Sequence, residues 1–121
     1  MILGLGTDIT QISRFLDNPN RLADKILTDY ERREYEESRD KACYLAKKWA
    51  AKEAVSKAWG TGIAKDAKWK SIEIRHNAAG RPTVIVFGQL KENWDTLGAK
   101  CFISISDESD YVTACAVVER A

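Results

Sequence analysis

A chain of 121 residues, 45% hydrophobic and 31% charged, has the length and composition of one soluble globular domain around a single core. Its formal net charge of +1 supplies no overall field toward nucleic acid or a membrane surface, and no window approaches the roughly 18 apolar residues of a membrane span. Cys43, Cys101 and Cys115 are odd in number and widely spaced, which argues against a disulfide framework or a zinc site and for reduced core thiols in a cytoplasmic protein.

Ile2 to Asp8 reads as a glycine-rich first strand, and glycine inside a strand marks close approach of another backbone or a ligand. Gln11 to Phe15 reads as a helical turn, broken by the Asn18-Pro19-Asn20 cluster, and Arg21 to Leu27 as a short helix. Thr28-Asp29-Tyr30-Glu31 has the spacing of a capping box and predicts a helix running to Ser38. Asp40 then caps a long central helix, rich in alanine and free of proline, that ends near Trp59 with Gly60 as its stop. Ser71 to Asn77 and Thr83 to Phe87 read as strands joined by the Asn77–Pro82 connection. Leu90, Trp94 and Leu97 lie at helical spacing between Gln89 and Gly98. Cys101 to Ser106 and Tyr111 to Glu119 close the chain as strands, the last with Val112, Ala114, Ala116 and Val118 facing inward. One strand, then helices, then hairpin-forming strands predict an α+β fold, with an antiparallel sheet packed on the long central helix.

Chemistry concentrates in the central helix. Glu53 shares a face with Ala46, Trp49 and Ala50, and a carboxylate on an apolar stripe needs a cationic partner. Lys57, one turn on, is one candidate, in an i,i+4 pair. A hard metal ion shared with a second acid is the other, and Asp8, after the glycine-rich strand, is that second acid unless it simply caps the next helix. Gly60-Thr61-Gly62 reads either as a helix stop or as a nest of N–H groups for phosphate. Arg14, Arg21 and Lys25 form a basic cluster that is either a solvated face or a surface for an acidic partner. His76, the single histidine, reads as a surface group at a strand end.

Together these motifs resemble the 4′-phosphopantetheinyl transferase superfamily in its short bacterial form. The resemblance rests on Gly4-Leu5-Gly6-Thr7-Asp8-Ile9 with Arg14, and on Trp49-Ala50-Ala51-Lys52-Glu53-Ala54, Lys57-Ala58 and Gly60-Thr61-Gly62-Ile63. Gly80-Arg81-Pro82 and Ser104-Ile105-Ser106-Asp107-Glu108 with Tyr111 complete it, so it covers the chain from Met1 to Glu119 as a single transferase domain. It implies transfer of the phosphopantetheine arm of coenzyme A to a serine of apo acyl carrier protein, with magnesium, in fatty acid biosynthesis. It also implies a homotrimer with active sites between subunits, and no nucleic-acid or membrane partner. On matching positions, Asp8 and Glu53 would hold the metal and Lys57 would contact phosphate. Lys48 stands where the family often has an arginine near the nucleotide. Gly60, Thr61, Gly62 and the turn ending at Pro82 would border the coenzyme A cleft. Asp107 stands where many members carry a histidine near the phosphates. Arg14, Arg21 and Lys25 would dock the carrier protein. Either Glu53 or a water on the metal would take the serine proton.

Overall fold

The computed structural model describes residues 1–121. Its elements run β1 (Ile2–Gln11), a 3-10 turn (Ile12–Phe15), α1 (Pro19–Ile26), α2 (Asp29–Glu37) and α3 (Lys41–Trp59). A second 3-10 turn (Trp69–Ser71) leads to β2 (Ile72–His76), β3 (Pro82–Val86), α4 (Gly88–Leu97), β4 (Ala99–Asp107) and β5 (Tyr111–Arg120).

The contact between β1 and α3 sets the architecture. Alanines on α3 leave a shallow surface, and glycines on β1 leave none, so the two backbones come together. A Cβ at Gly4 would lie 1.9 Å from the Ala58 carbonyl oxygen, and one at Gly6 would lie 2.0 Å from that of Ala54. No other residue fits either position without moving the helix. β1, β5 and β4 form an antiparallel sheet in that spatial order, with β5 in the middle. Its inner face is buried on α3 through Val112, Ala114, Ala116 and Val118, as the alternation predicts. β2 and β3 make a separate antiparallel hairpin, because α4 intervenes between β3 and β4.

α3 is enclosed by the sheet on one side and by α1, α2 and β2 on the other, so charged residues away from its alanine stripe are buried as well. Lys48 and Lys52 are both buried, whereas Glu53 is only half-buried. The costly buried charge of this helix is therefore Lys52. The α2 cap forms as predicted: Glu31 N donates to Thr28 Oγ1 at 3.3 Å, and Thr28 N donates to Glu31 Oε1 at 3.0 Å.

Three expectations are corrected. β1 does not end at Asp8 but continues to Gln11, so Asp8 pairs with Ala114 in mid-strand and caps nothing. α1 begins earlier, at Pro19, which suits a first helical turn because it has no N–H to leave unpaired. Cys115 is not a core thiol: it faces outward and is exposed, while Cys43 and Cys101 are half-buried. Burial pushes the Cys101 thiol up to about 12. The outer face of the sheet is apolar and open, with Leu3 38%, Leu5 63%, Ile9 65% and Phe102 56% exposed.

Candidate active site

The close approach of β1 and α3 brings Asp8, Glu53 and Lys57 together. Asp8 is largely buried and is fixed from two sides. Thr10 Oγ1 donates to its Oδ2 at 2.6 Å, and Lys57 Nζ reaches its Oδ1 at 3.2 Å. Lys57 Nζ also donates to the Thr7 carbonyl at 3.1 Å. The lysine one turn beyond Glu53 thus pairs across to the strand and not along its own helix. Glu53 receives one side-chain hydrogen bond, and its backbone carbonyl accepts it, from Ser56 Oγ at 2.8 Å. Its carboxyl is held above the usual carboxylate range, first by burial and then by the like charge of Asp8; Lys57 and Arg14 pull the other way.

Asp8 and Lys57 line an open hollow of about 570 Å³ that spreads over the outer sheet face past Ser104, Ser106 and Cys115; Glu53 is not part of its lining. No group of three or more histidine, cysteine, aspartate or glutamate side chains suited to a metal assembles anywhere in the chain. Asp8 and Glu53 are the two carboxylates that could hold an ion here.

Lys48, Pro82 and Asp107 meet in a second cavity, of about 300 Å³, together with Gly80 and His76. Lys48 Nζ donates to the Ile74 carbonyl at 3.3 Å and lies 4.9 Å from the centre of the Tyr44 ring. Burial lowers its pKa from the ordinary lysine range. Asp107 Oδ1 lies 3.4 Å from Lys47 Nζ. Within one chain, Asp8 and Lys57 line one hollow and Lys48, Pro82 and Asp107 line another.

The Gly60-Thr61-Gly62 corner lines neither hollow. The N–H groups of all three residues converge on the Ser56 carbonyl, at 3.0, 3.2 and 3.1 Å. The helix-stop reading accounts for these amides, and the corner offers no free nest for phosphate. Arg14 is exposed and lies over the Trp49 ring, 5.2 Å from its centre. Trp49 in turn packs on Phe15 and Trp69. Arg21 and Lys25 flank a third hollow, where Asp17 adds an acid to the basic cluster.

Sequence reasoning missed the polar knot under the site. Lys52 Nζ, fully buried, donates to Glu31 Oε1 at 2.6 Å and to the carbonyls of Ile26 and Trp69 at 2.5 and 2.9 Å. Glu31 Oε2 accepts from Ile74 N at 2.8 Å. Thr28 Oγ1 donates onward to Glu73, which holds Arg75 at 2.6 Å. One lysine thus ties α1, α2, β2 and the second 3-10 turn to the residue before Glu53. The signal was the pairing of a capping glutamate with a motif lysine, but nothing local marks the two as partners.

A family model described as the 4′-phosphopantetheinyl transferase superfamily matches residues 4–116. The chain belongs to this superfamily and is a transferase of its short form. The relatives it resembles are named holo-[acyl-carrier-protein] synthase. That of Dechloromonas aromatica (strain RCB) is 38% identical over 125 residues, covering 100% of both chains. That of Azoarcus sp. (strain BH72) is 41% identical over 123 residues, covering 98% of each. Among solved structures, the holo-[acyl-carrier-protein] synthase of Neisseria meningitidis superposes with a TM-score of 0.92 at 37% identity, covering 99% of this chain and 100% of that one. The synthase of Bacillus anthracis str. Ames, solved in complex with CoA (3′,5′-ADP), gives 0.87 at 31% identity, covering 100% and 99%.

Proposed function

We propose that the chain transfers the 4′-phosphopantetheine arm of coenzyme A to a serine of apo acyl carrier protein, releasing adenosine 3′,5′-bisphosphate, in fatty acid biosynthesis. The observation that carries this reading is the meeting of Asp8, Glu53 and Lys57 at the contact of β1 with α3, in a chain of this superfamily.

The donor set suits a hard divalent cation such as magnesium: two carboxylates that repel each other, one of them with no protein cation bonded to it. Asp8 and Glu53 would hold the ion, and water and phosphate oxygens would fill its other positions. Bound there, magnesium supplies positive charge against the pyrophosphate and its departing oxygen. Lys57, tethered by Asp8 and exposed, contacts phosphate. Lys48, Pro82 and Asp107 border the coenzyme A cleft. The nucleophile is the carrier's serine, so the chain needs no nucleophile of its own. Glu53 or a water beside the ion would take the serine proton.

Arg14, Arg21 and Lys25 dock the acidic carrier, and this makes the encounter salt-sensitive. The apolar outer face of the sheet is the contact between subunits of a homotrimer, in which the two hollows of different chains complete one site.

The test is incubation with coenzyme A, magnesium and apo carrier protein, followed by mass spectrometry of the carrier. A gain of one phosphopantetheine arm is expected. No gain with any divalent ion overturns the reading, and carrier binding without turnover makes the chain a non-catalytic binding module.

A further inference from the structure

We infer that Thr10 is a positioning residue for the metal: its hydroxyl fixes the carboxylate of Asp8 in the direction that holds a divalent cation. The inference rests on the reading above, in which Asp8 and Glu53 are the carboxylates of a magnesium site.

The inward positions of β1 run Gly4, Gly6, Asp8 and Thr10. The two glycines have no side chain, so Thr10 is the one hydroxyl beside Asp8 on that face. Across the ladder Asp8 pairs with Ala114 and Thr10 with Val112, whose side chains are hydrocarbon and donate nothing. Thr10 is 2% exposed, and its Oγ1 donates to Asp8 Oδ2 at 2.6 Å. That length belongs to a hydroxyl bonded to an ionised carboxylate, a charge-assisted hydrogen bond.

The groups around the site are not held alike. Lys57 reaches Asp8 Oδ1 at 3.2 Å from a side chain 47% exposed, and its ammonium is shared with the Thr7 carbonyl. It sits on a flexible four-carbon stem, and in the proposed reaction it turns to phosphate. Glu53 is half-buried, and the Ser56 hydroxyl bonds its backbone carbonyl, not its carboxyl. Thr10 has neither freedom. A β-branched side chain is stiff at χ1, and its backbone is locked into the pairing of β1 with β5. Asp8 therefore has a preset direction that survives the departure of Lys57, and Glu53 adjusts to the ion.

Magnesium demands near-ideal octahedral geometry, and a ligand that is already oriented loses less freedom on binding it. Hydrogen bonds to ligating carboxylates are worth about 10- to 100-fold in metal affinity. A buried hydroxyl also needs an acceptor for its own sake. The two roles separate by experiment, because satisfying the hydroxyl concerns Thr10 alone, whereas orienting Asp8 is read at the metal.

Thr10→Val keeps the branched shape and removes the hydroxyl. Manganese(II) takes the same octahedral oxygen ligands as magnesium and serves as the paramagnetic probe. It is titrated into the full chain with coenzyme A and followed by electron paramagnetic resonance against coenzyme A alone. Thr10→Val should bind it about 10- to 100-fold more weakly than the wild type, and Thr10→Ser, which keeps the donor, within about threefold. Calorimetry without metal should give the same affinity for coenzyme A in the wild type and both variants. Thr10→Ala removes the hydroxyl with less bulk and should reproduce the loss, so the test survives a valine variant that packs badly. Manganese affinity unchanged in Thr10→Val and Thr10→Ala, or lost equally in Thr10→Ser, overturns the inference and leaves the metal site standing. A wild type that binds no manganese beyond the coenzyme A control overturns the site and the inference together.

Discussion

Glu53 holds its negative charge where the fold opposes it, and Lys52, the next residue, holds a positive charge where the fold requires it. The Glu53 pKa is raised in the folded state by burial and by Asp8. A raised carboxyl contributes stability below the unfolded pKa and loses it as pH rises through the folded value. At pH 7 without metal, Glu53 therefore destabilises the fold, and Glu53→Gln should unfold at higher temperature than the wild type while losing transfer roughly a hundredfold or more. The stability difference should vanish below about pH 4, where both side chains are neutral. Magnesium at a hundred times its dissociation constant should stabilise the wild type by about 2.7 kcal/mol and leave Glu53→Gln nearly unmoved, read by thermal melts. Lys52→Met has the opposite outcome. It strands Glu31 as a buried, unpaired carboxylate, and urea unfolding should show a loss of about 3–5 kcal/mol. Glu53 was legible as a costly acid because periodicity places it beside Ala50 and Ala46. Lys52 was not, since its partners Glu31, Ile26 and Trp69 come from three separate segments and helical spacing reports only the helix's own faces.

At the scale of elements, the site depends on one strand lying flush against one helix. Gly6→Ala places a Cβ 2.0 Å from the Ala54 carbonyl oxygen and 2.6 Å from Ala58 N, so β1 and α3 must separate. Stability should fall by about 1–3 kcal/mol, as in other overpacked contacts. The magnesium concentration for half-maximal transfer should rise as well, because Asp8 rides on the strand and Glu53 on the helix. Gly60→Ala is the control. It meets nothing within 4 Å but sits at φ +104, so it should cost about 1 kcal/mol in urea and leave the magnesium requirement alone. This contact was readable before the fold was known, since glycines in a strand and alanines in a helix both announce close backbones. The end of β1 was not. Asp8 and Thr10 look like the edge of a loop, and only pairing with β5 carries the strand to Gln11. The same pairing turns Asp8 from a helix cap into an inward-facing acid.

At the scale of the whole molecule, two facts of the single chain point the same way. Asp8 and Lys57 lie in one hollow and Lys48, Pro82 and Asp107 in another, and its sheet leaves Leu5, Ile9 and Phe102 uncovered. Apolar side chains on the outer face of a sheet are stable when another surface covers them. The proposed cyclic trimer would cover them and would set the first hollow of one chain against the second hollow of its neighbour, in a head-to-tail arrangement that closes on itself. Leu5→Lys should then dissociate the assembly in analytical ultracentrifugation and abolish transfer, although Leu5 lies on the far side of the sheet from Glu53. Mixing gives a sharper test of whether the site is shared. Glu53→Gln disables the carboxylate half, and Lys48→Met disables the nucleotide half with little change of shape. Each alone should be nearly inactive. When equal amounts are unfolded together and refolded as mixed trimers, about one quarter of the sites draw an intact half from each of two chains, so about one quarter of wild-type activity should return. Activity that stays at the mean of the two variants would mean that each chain holds a complete site and that the exposed face serves another contact.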